Sequence, residues 1–503
     1  MSIKRNILAN YISQIYTAVI GIVMVPVYVR FMGPEAYGLV GFYALLQGWF
    51  QLLDIGLTPT MMREIARFRG GAIGTKELRQ LIRVLEVVFI GIALIGASLV
   101  AISSPMIATK WLRIQQLTPI EVQQSIMLMG CILAVRWISG LYRGAINGFE
   151  QLVWLGGFNV VFASFKSFFV IWIFIAIGKT PVIYFSFQLL VSFIEMTVLV
   201  GRTYQQLPQV EAGETLAWEW SSLTGIIRFS LSIAFTGSVW VLVTQTGNLV
   251  LSKLLSLKEF GYFTMAVVAA NGVMLITGPI SGAVLPRLTK LCAEGDEAGF
   301  IGLYKQATQL MAIFAIPVSL MLSFFASRAL WVWTGNPEIS TQAAPILALY
   351  AIGNGVLCLS AFPYYLQYAK GDLKLHLVGS AIFFIVYIPL LIWATIRFGA
   401  IGAGYSWVTV NLLYLFFWLP KVHSKFVKGL NSQWFRDIGT IFLPTLVIIA
   451  ISFRFIPWFS AMRFHQAVNI VLIGIASMFF AILGSEWVRL KLLRGLRASF
   501  QKT

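Results

Sequence analysis

The sequence predicts an all-α polytopic membrane protein with about fourteen transmembrane helices, on three observations. Apolar stretches long enough to cross a bilayer recur from near Ile7 to near Trp487. Hydrophobic residues make up 58% of the 503 residues, charged residues 11%, and mean hydropathy is +0.83. A soluble domain carries roughly 25% charged residues because it must present a wetted surface. Finally, Leu85–Ser103, Val160–Ile177 and Ala467–Ile482 are long and predominantly apolar, as spanning helices of ~20 residues are, whereas barrel strands are short and alternate.

The spans follow in order. Those near 7–30 and 39–62 carry polar stripes, Asn10, Gln14, Thr17 and Gly21 on the first and Gln47, Gln51, Asp54 and Thr58 on the second. Steps of three and four residues share one helical face. The first span is too long for the h-region of a cleavable signal and runs directly into the second. The third, near 84–104, is predominantly apolar. The fourth, near 124–146, sets Arg136, Ser139, Arg143 and Asn147 on one face, with Arg143 about 10 Å nearer the cytoplasm than Arg136 at 1.5 Å per residue. The fifth, near 154–177, places Asn159 and Lys166 on one face, and the sixth, near 182–201, does so with Gln188, Ser192 and Glu195. A polar linker with Pro208, Glu211, Glu214 and Glu219 precedes six more spans, near 229–252, 262–285, 309–330, 344–366, 376–396 and 401–420. Their polar residues are mostly amides and hydroxyls: Thr244, Gln245, Asn248, Asn271 and Asn354, with Tyr364, Tyr365, Gln367 and Tyr368 near a cytoplasmic end. Two last spans lie near 438–456 and 467–487. Prolines inside spans, Pro26, Pro59, Pro279, Pro317, Pro363, Pro389 and Pro444 among them, imply kinks.

Two stretches look like copies of one unit. Val27–Gly70 and Val250–Gly295 each hold a short acidic-glycine turn, a long helix, and a basic residue, Arg63 or Arg287, where that helix meets the cytoplasm. An even number of spans between copies gives them the same orientation, and parallel repeats are a transporter pattern. The expected division is a first lobe at 1–205 (six spans), a cytoplasmic linker at 206–228, a second lobe at 229–422 (six spans), two further helices within 437–487, and a basic tail at 488–503.

The net charge of +18 invites a nucleic-acid reading, but its placement argues otherwise. With the N-terminus inside, cytoplasmic loops and ends hold about 25 of the 37 Lys+Arg and the outer side about 10, the positive-inside pattern. Anionic lipid headgroups are the natural counter-charges, and both termini are expected in the cytoplasm. The three cysteines, Cys131, Cys292 and Cys358, are scattered and suggest neither a metal site nor a disulfide framework. His376, His423 and His465 lie near predicted membrane boundaries, as interfacial polar residues.

The chemistry lies in ionisable residues at membrane depth. Each central Arg or Lys costs roughly 2.5–3.5 kcal/mol to insert, so the polar faces of several spans in the first half should turn inward and line a hydrated cavity. A bland reading competes: Arg136 or Lys166 pairs with Asp54 or Glu195 and locks helices together. The basic surplus suits an anion, which guanidinium forks bind bidentately and Lys as a point charge.

The chain resembles a polysaccharide flippase of the multidrug/oligosaccharidyl-lipid/polysaccharide (MOP) superfamily, the Wzx-type transporters of O-antigen and capsule. The resemblance is carried by Met32-Gly-Pro-Glu-Ala-Tyr-Gly38, Asp54-Ile-Gly-Leu-Thr-Pro-Thr-Met-Met-Arg-Glu-Ile-Ala66, Tyr142-Arg-Gly-Ala-Ile-Asn-Gly-Phe-Glu-Gln151, Glu259-Phe-Gly-Tyr-Phe-Thr-Met-Ala266 and Leu285-Pro-Arg-Leu-Thr-Lys290, within residues 1–420. It implies a MATE/MOP-like fold: two six-helix lobes in a V, a central cationic cavity, and two extra C-terminal helices that some relatives use as a groove for a lipid tail. It implies a bacterial inner-membrane protein that moves undecaprenyl-pyrophosphate-linked oligosaccharide from the inner to the outer leaflet by alternating access. No cofactor, metal or nucleic acid is expected. Membrane lipids, H+ or Na+ as coupling ion, and downstream polymerase and export machinery are the expected partners. Arg136, Lys166, Arg143 and Arg63 are the candidate substrate-binding residues, and Asp54 and Glu195 the candidate ion-coupling or charge-pairing ones. Asn10, Gln14, Gln51, Ser139 and Asn159 are candidate cavity-lining residues. Two rivals stand beside this reading. A MATE-like multidrug or cation antiporter calls for acidic groups in its cavity. A membrane-embedded polymerase or ligase needs acid, base or metal groups near the outer surface, yet the longest outer loop, about Ser104–Gln123, offers only Lys110, Arg113 and Glu121.

Overall fold

The computed structural model describes residues 3–54, 56–209, 241–242, 244–455 and 462–490. Among them, twelve helices are long and apolar enough to cross a membrane, and the only extended pairing is an isolated bridge between Arg113 and Ser256. This is a multi-pass, all-helical membrane protein. The chain forms two compact units, Met1–Gly261 and Tyr262–Thr503.

The first unit holds α1 (Ile3–Leu53), α2 (Leu57–Arg69), α3 (Thr75–Met106), α4 (Pro119–Gly148), α5 (Leu152–Ala176), α6 (Pro181–Gln206) and α7 (244–254), and ends in the first turn of α8 (Leu257–Asn271). The first two expected spans are the two segments of α1, joined at Gly33, whose φ of 85° and ψ of 165° are non-helical. That conformation is open to glycine and strained for any residue with a Cβ. The second segment stops at Leu53 rather than near residue 62. Gly56 is left-handed (φ 73°), and Asp54 Oδ1 accepts the Thr58 backbone N–H at 3.2 Å and its hydroxyl at 2.8 Å, so a separate helix begins there. The expected outer loop at 104–123 is also much shorter. α3 continues through a π-helical turn at Ile107–Trp111, and α4 opens at Thr118–Pro119 with a capping box in which Thr118 and Glu121 exchange side-chain hydrogen bonds.

α4 is the axis of this unit: 67% of its apolar window is buried, against 28% for α3 and α5. Its contact with α2 runs along Gly140, Gly144 and Gly148. A Cβ on Gly144 would stand 2.7 Å from the Thr58 carbonyl, and one on Gly148 2.8 Å from that of Met62. Met61, Ile65, Leu85, Phe89 and Leu141 pack beside this seam as one core. At the Gly33 end, the Glu35 carboxylate is 2% exposed and accepts the backbone N–H groups of Gln115 (2.6 Å) and Gln116 (2.7 Å). The two suspected copies touch here within the first unit. A Cβ on Gly38 would lie 2.2 Å from the Leu257 carbonyl, and one on Gly261 2.1 Å from that of Pro34, so each glycine admits the other segment's backbone.

The second unit contains the rest of α8, a 3₁₀ segment (Gly272–Ile276), α9 (Thr277–Ala293), α10 (Glu297–Phe324), α11 (Ala326–Thr334), α12 (Pro337–Ala369), α13 (Lys374–Phe398), α14 (Ala400–Leu413), a π turn (Tyr414–Trp418), α15 (Leu419–Phe426), α16 (Leu430–Phe455) and α17 (Arg463–Gly484). α16 and α17 supply the two additional C-terminal helices. Gln309 of α10 ties both to the core: its Nε2 donates to Asp437, and its Oε1 accepts Ser485 Oγ and the Trp487 N–H. His423 is not interfacial. It is fully buried, with Nε2 2.8 Å from the Tyr304 hydroxyl and Trp434 against its ring. Residues 210–240, with Glu211, Glu214 and Glu219 of the linker and the start of the expected seventh span, lie outside the described residues. So do Lys491, Arg494, Arg497 and Lys502 of the basic tail.

Gly144→Ala should lower stability by about 1–3 kcal/mol, as overpacking against backbone does, read as a lower unfolding temperature in detergent. Gly157→Ala, whose added Cβ meets nothing within 4 Å, is the matched control and should not. Equal melting of the two variants would rule out the tight α2–α4 seam.

Candidate functional site

α4 presents its cations beside the glycine seam. Thr118 and Pro119 fix where this helix starts, and hence the heights of Arg136 and Arg143. Arg136 donates from Nη1 to the Tyr43 hydroxyl of α1 at 3.1 Å. Arg143 donates to Asn159 Oδ1 of α5 at 2.6 Å, and its guanidinium carbon lies 5.5 Å from the centre of the Phe158 ring, a cation–π contact. Lys166 of α5 meets Glu195 of α6 at 2.9 Å, with the two side chains 12% and 11% exposed. The Glu195 carboxylate is within electrostatic reach of both guanidiniums as well. Three cations and one carboxylate thus share a site inside the first unit.

Lys166 is ion-paired, with Glu195. Arg136 has a phenol instead: among the described residues it makes no ion pair. Asp54 caps α2 through Thr58 and bonds to none of the cations. Arg63 stands apart, with a 47% exposed side chain, and shares the Glu64 carboxylate with Arg67 at 3.1 and 2.8 Å. Asn159 belongs to the cluster through Arg143. The Ser139 hydroxyl returns to the Val135 carbonyl of its own helix. Asn10 and Gln14 bond to each other along α1, and Gln51 is exposed.

Tyr43 is the member that the polar stripes missed. It lies one turn before Gln47 on the stripe of Gln47, Gln51 and Asp54, so helical spacing alone contained it. Glu86, in the third span, is a second polar residue outside those stripes. It accepts the hydroxyls of Tyr142 (2.8 Å) and Tyr204 (2.9 Å), joining α3, α4 and α6. The carboxylates of Glu86, Glu195 and Asp54 are therefore all engaged, and the uncompensated charge in this part of the unit is positive. Among the described residues, no group of three His, Cys, Asp or Glu comes together as a metal site.

Comparison with known proteins adds a family and a fold. Residues 3–292 match the family model described as polysaccharide biosynthesis protein. A Shigella flexneri protein named "Putative O-antigen transporter" is 20% identical over 415 residues, covering 81% of this chain and 94% of the relative. Among solved structures, the lipid II flippase MurJ in an inward closed conformation superposes with a TM-score of 0.71 at 14% identity, covering 94% of this chain and 98% of MurJ. A mutant of the Vibrio cholerae MATE transporter VcmN gives a TM-score of 0.55 at 14% identity, covering 86% of this chain and 98% of VcmN. The fold is therefore that shared by MurJ and the MATE transporters.

Removing one partner of a buried ion pair costs up to about 3–5 kcal/mol, lessened here because Glu195 keeps both guanidiniums within reach. Lys166→Ala should accordingly reduce the folded fraction surviving heat in detergent, and Lys166→Met combined with Glu195→Leu should recover most of it. If Lys166→Ala were as heat-resistant as the unaltered protein, the pair would not be structural.

Proposed function

The chain belongs to the polysaccharide biosynthesis protein family, and from that premise we propose that it is a flippase for undecaprenyl-pyrophosphate-linked oligosaccharide. It carries these units from the inner to the outer leaflet of a bacterial cytoplasmic membrane, for O-antigen, capsule or exopolysaccharide assembly. The observation that carries this reading is Arg136: a guanidinium at membrane depth, held by Tyr43, with no contact ion pair among the described residues, because the one carboxylate within its reach, Glu195, is paired with Lys166. Such a charge is costly to keep in a membrane unless an anion uses it. The fold shared with a lipid II flippase and the relative named as an O-antigen transporter support the same cargo class.

The chemistry follows from charge. A pyrophosphate headgroup cannot enter ~30 Å of hydrocarbon unaided. Arg136 and Arg143 offer planar forks to its oxygens and Lys166 a point charge. Binding at Lys166 competes with Glu195, which makes Glu195, rather than the capping Asp54, the candidate for coupling to H+ or Na+. Both termini are cytoplasmic in this reading, transport is by alternating access, and no covalent step occurs. A cation antiporter is the second reading, disfavoured because Glu86, Glu195 and Asp54 are already engaged.

A clean deletion should abolish surface polysaccharide and accumulate undecaprenyl-linked units inside. Complementation by Arg136→Ala should restore export at least tenfold less well than the unaltered gene at equal protein level, since a charge-assisted hydrogen bond contributes about 1.5–3 kcal/mol. Normal polysaccharide in the deletion strain, with new sensitivity to cationic drugs, would replace the flippase by the antiporter.

A further inference from the structure

We propose that the second unit carries a binding site for neutral sugar oxygens, in which Asn271 makes the contact and Asn354 and Trp407 position it. The proposal deepens the flippase reading and rests on it. It begins from a correspondence between α4 and α12. Both open on a side-chain cap followed by proline, Thr118–Pro119 and Asn336–Pro337, and both pack against the helix α3 or α10 before them and α6 or α14 after them. Counted from these caps, Arg136 and Asn354 occupy the same position. Where the first unit has a guanidinium, the second has a carboxamide.

Asn354 is 1% exposed, and both ends of its amide are used. Trp407 Nε1 donates to Asn354 Oδ1 at 3.0 Å, and Asn354 Nδ2 donates to Asn271 Oδ1 at 3.1 Å. An indole N–H can only donate, so it fixes which end of Asn354 is oxygen. Asn354 in turn fixes Asn271 with its own Nδ2 pointing away. Trp407 is held by Tyr350, stacked at 5.8 Å, and by Tyr387 and Phe383 edge-on. A buried donor thus orients an amide two residues removed from it.

Asn271 is exposed, and its Nδ2 has no partner among the described residues. It ends α8, where the chain tightens into the 3₁₀ segment, and added Cβ atoms on the neighbouring Gly272 and Gly278 would meet nothing within 4 Å. Asn271 lies about 21 Å along α8 from its start, at 1.5 Å per residue, well inside the span. Turned to lipid, its two N–H groups would find no acceptor. They face something with oxygens. A neutral donor pair suits hydroxyl or carbonyl oxygens better than a pyrophosphate, for which the cations of the first unit are the better match.

The test uses full-length protein in nanodiscs and two probes: undecaprenyl pyrophosphate, and lipid-linked oligosaccharide extracted from the deletion strain. The unaltered protein should bind the second more tightly. Asn271→Ala should erase about three- to tenfold of that preference, the loss expected for one hydrogen bond, with affinity for undecaprenyl pyrophosphate unchanged. Trp407→Phe, which removes the orienting donor, should do the same, whereas Arg136→Ala should weaken both probes together. An unchanged preference in Asn271→Ala, or an equal loss for both probes, would overturn the sugar site and leave the flippase reading standing. Failure of the unaltered protein to bind either probe would overturn both.

Discussion

Everything in this molecule follows from the scarcity of hydrogen-bond partners inside a bilayer. With no water in the hydrocarbon, backbone groups pair within helices, and each polar side chain must find a protein partner or a hydrated face. The structure meets this demand locally where it can. Ser139, Ser164, Thr203, Thr308 and Thr445 return their hydroxyls to carbonyls one turn back. Where it cannot, it joins helices, as Glu86 does with two tyrosines and Gln309 with Asp437 and Ser485. Arg136 stands out against this background because, among the described residues, the one carboxylate within its reach is already paired with Lys166.

The same constraint explains what was legible in the sequence. Long apolar runs can only be spans, so α3 to α6, α10, α12 to α14, α16 and α17 lie close to where hydropathy puts them. The stripe of Arg136, Ser139 and Arg143 is also legible, being a property of one helix. Pairings between helices are not. That Lys166 meets Glu195 while Arg136 meets Tyr43 depends on how α1, α4, α5 and α6 pack, which periodicity does not report. Residue type also misleads about availability: Ser139 sits on the right stripe, yet its proton is spent on its own helix. The break after Leu53 is hidden because Asp54 and Thr58 continue a helical spacing across Gly56, whose left-handed backbone separates the two helices.

The two units use one arrangement of helices for different polar chemistry. A capped, proline-started helix lies buried against two neighbours in each, and at matched heights one offers a guanidinium and the other an amide. Glycine permits this economy. Gly144 and Gly148 on α4 admit the α2 backbone, and Gly353 on α12 admits the Trp407 ring, so that polar side chains are placed by close packing rather than by flexible reach.

The clamp at Glu35 also orders events in time. Its carboxylate is buried only by virtue of two amides that lie 80 and 81 residues further along the chain. At 5–20 residues per second, the ribosome delivers those amides about 4–16 s after Glu35. Until then the acid has no reason to leave water, and the turn at Gly33 is held at the membrane surface by its own charge. The opening helical pair therefore waits, unsealed, for α3 to be threaded and for the start of α4 to emerge. The last act in closing the first hairpin belongs to a segment synthesised long after it.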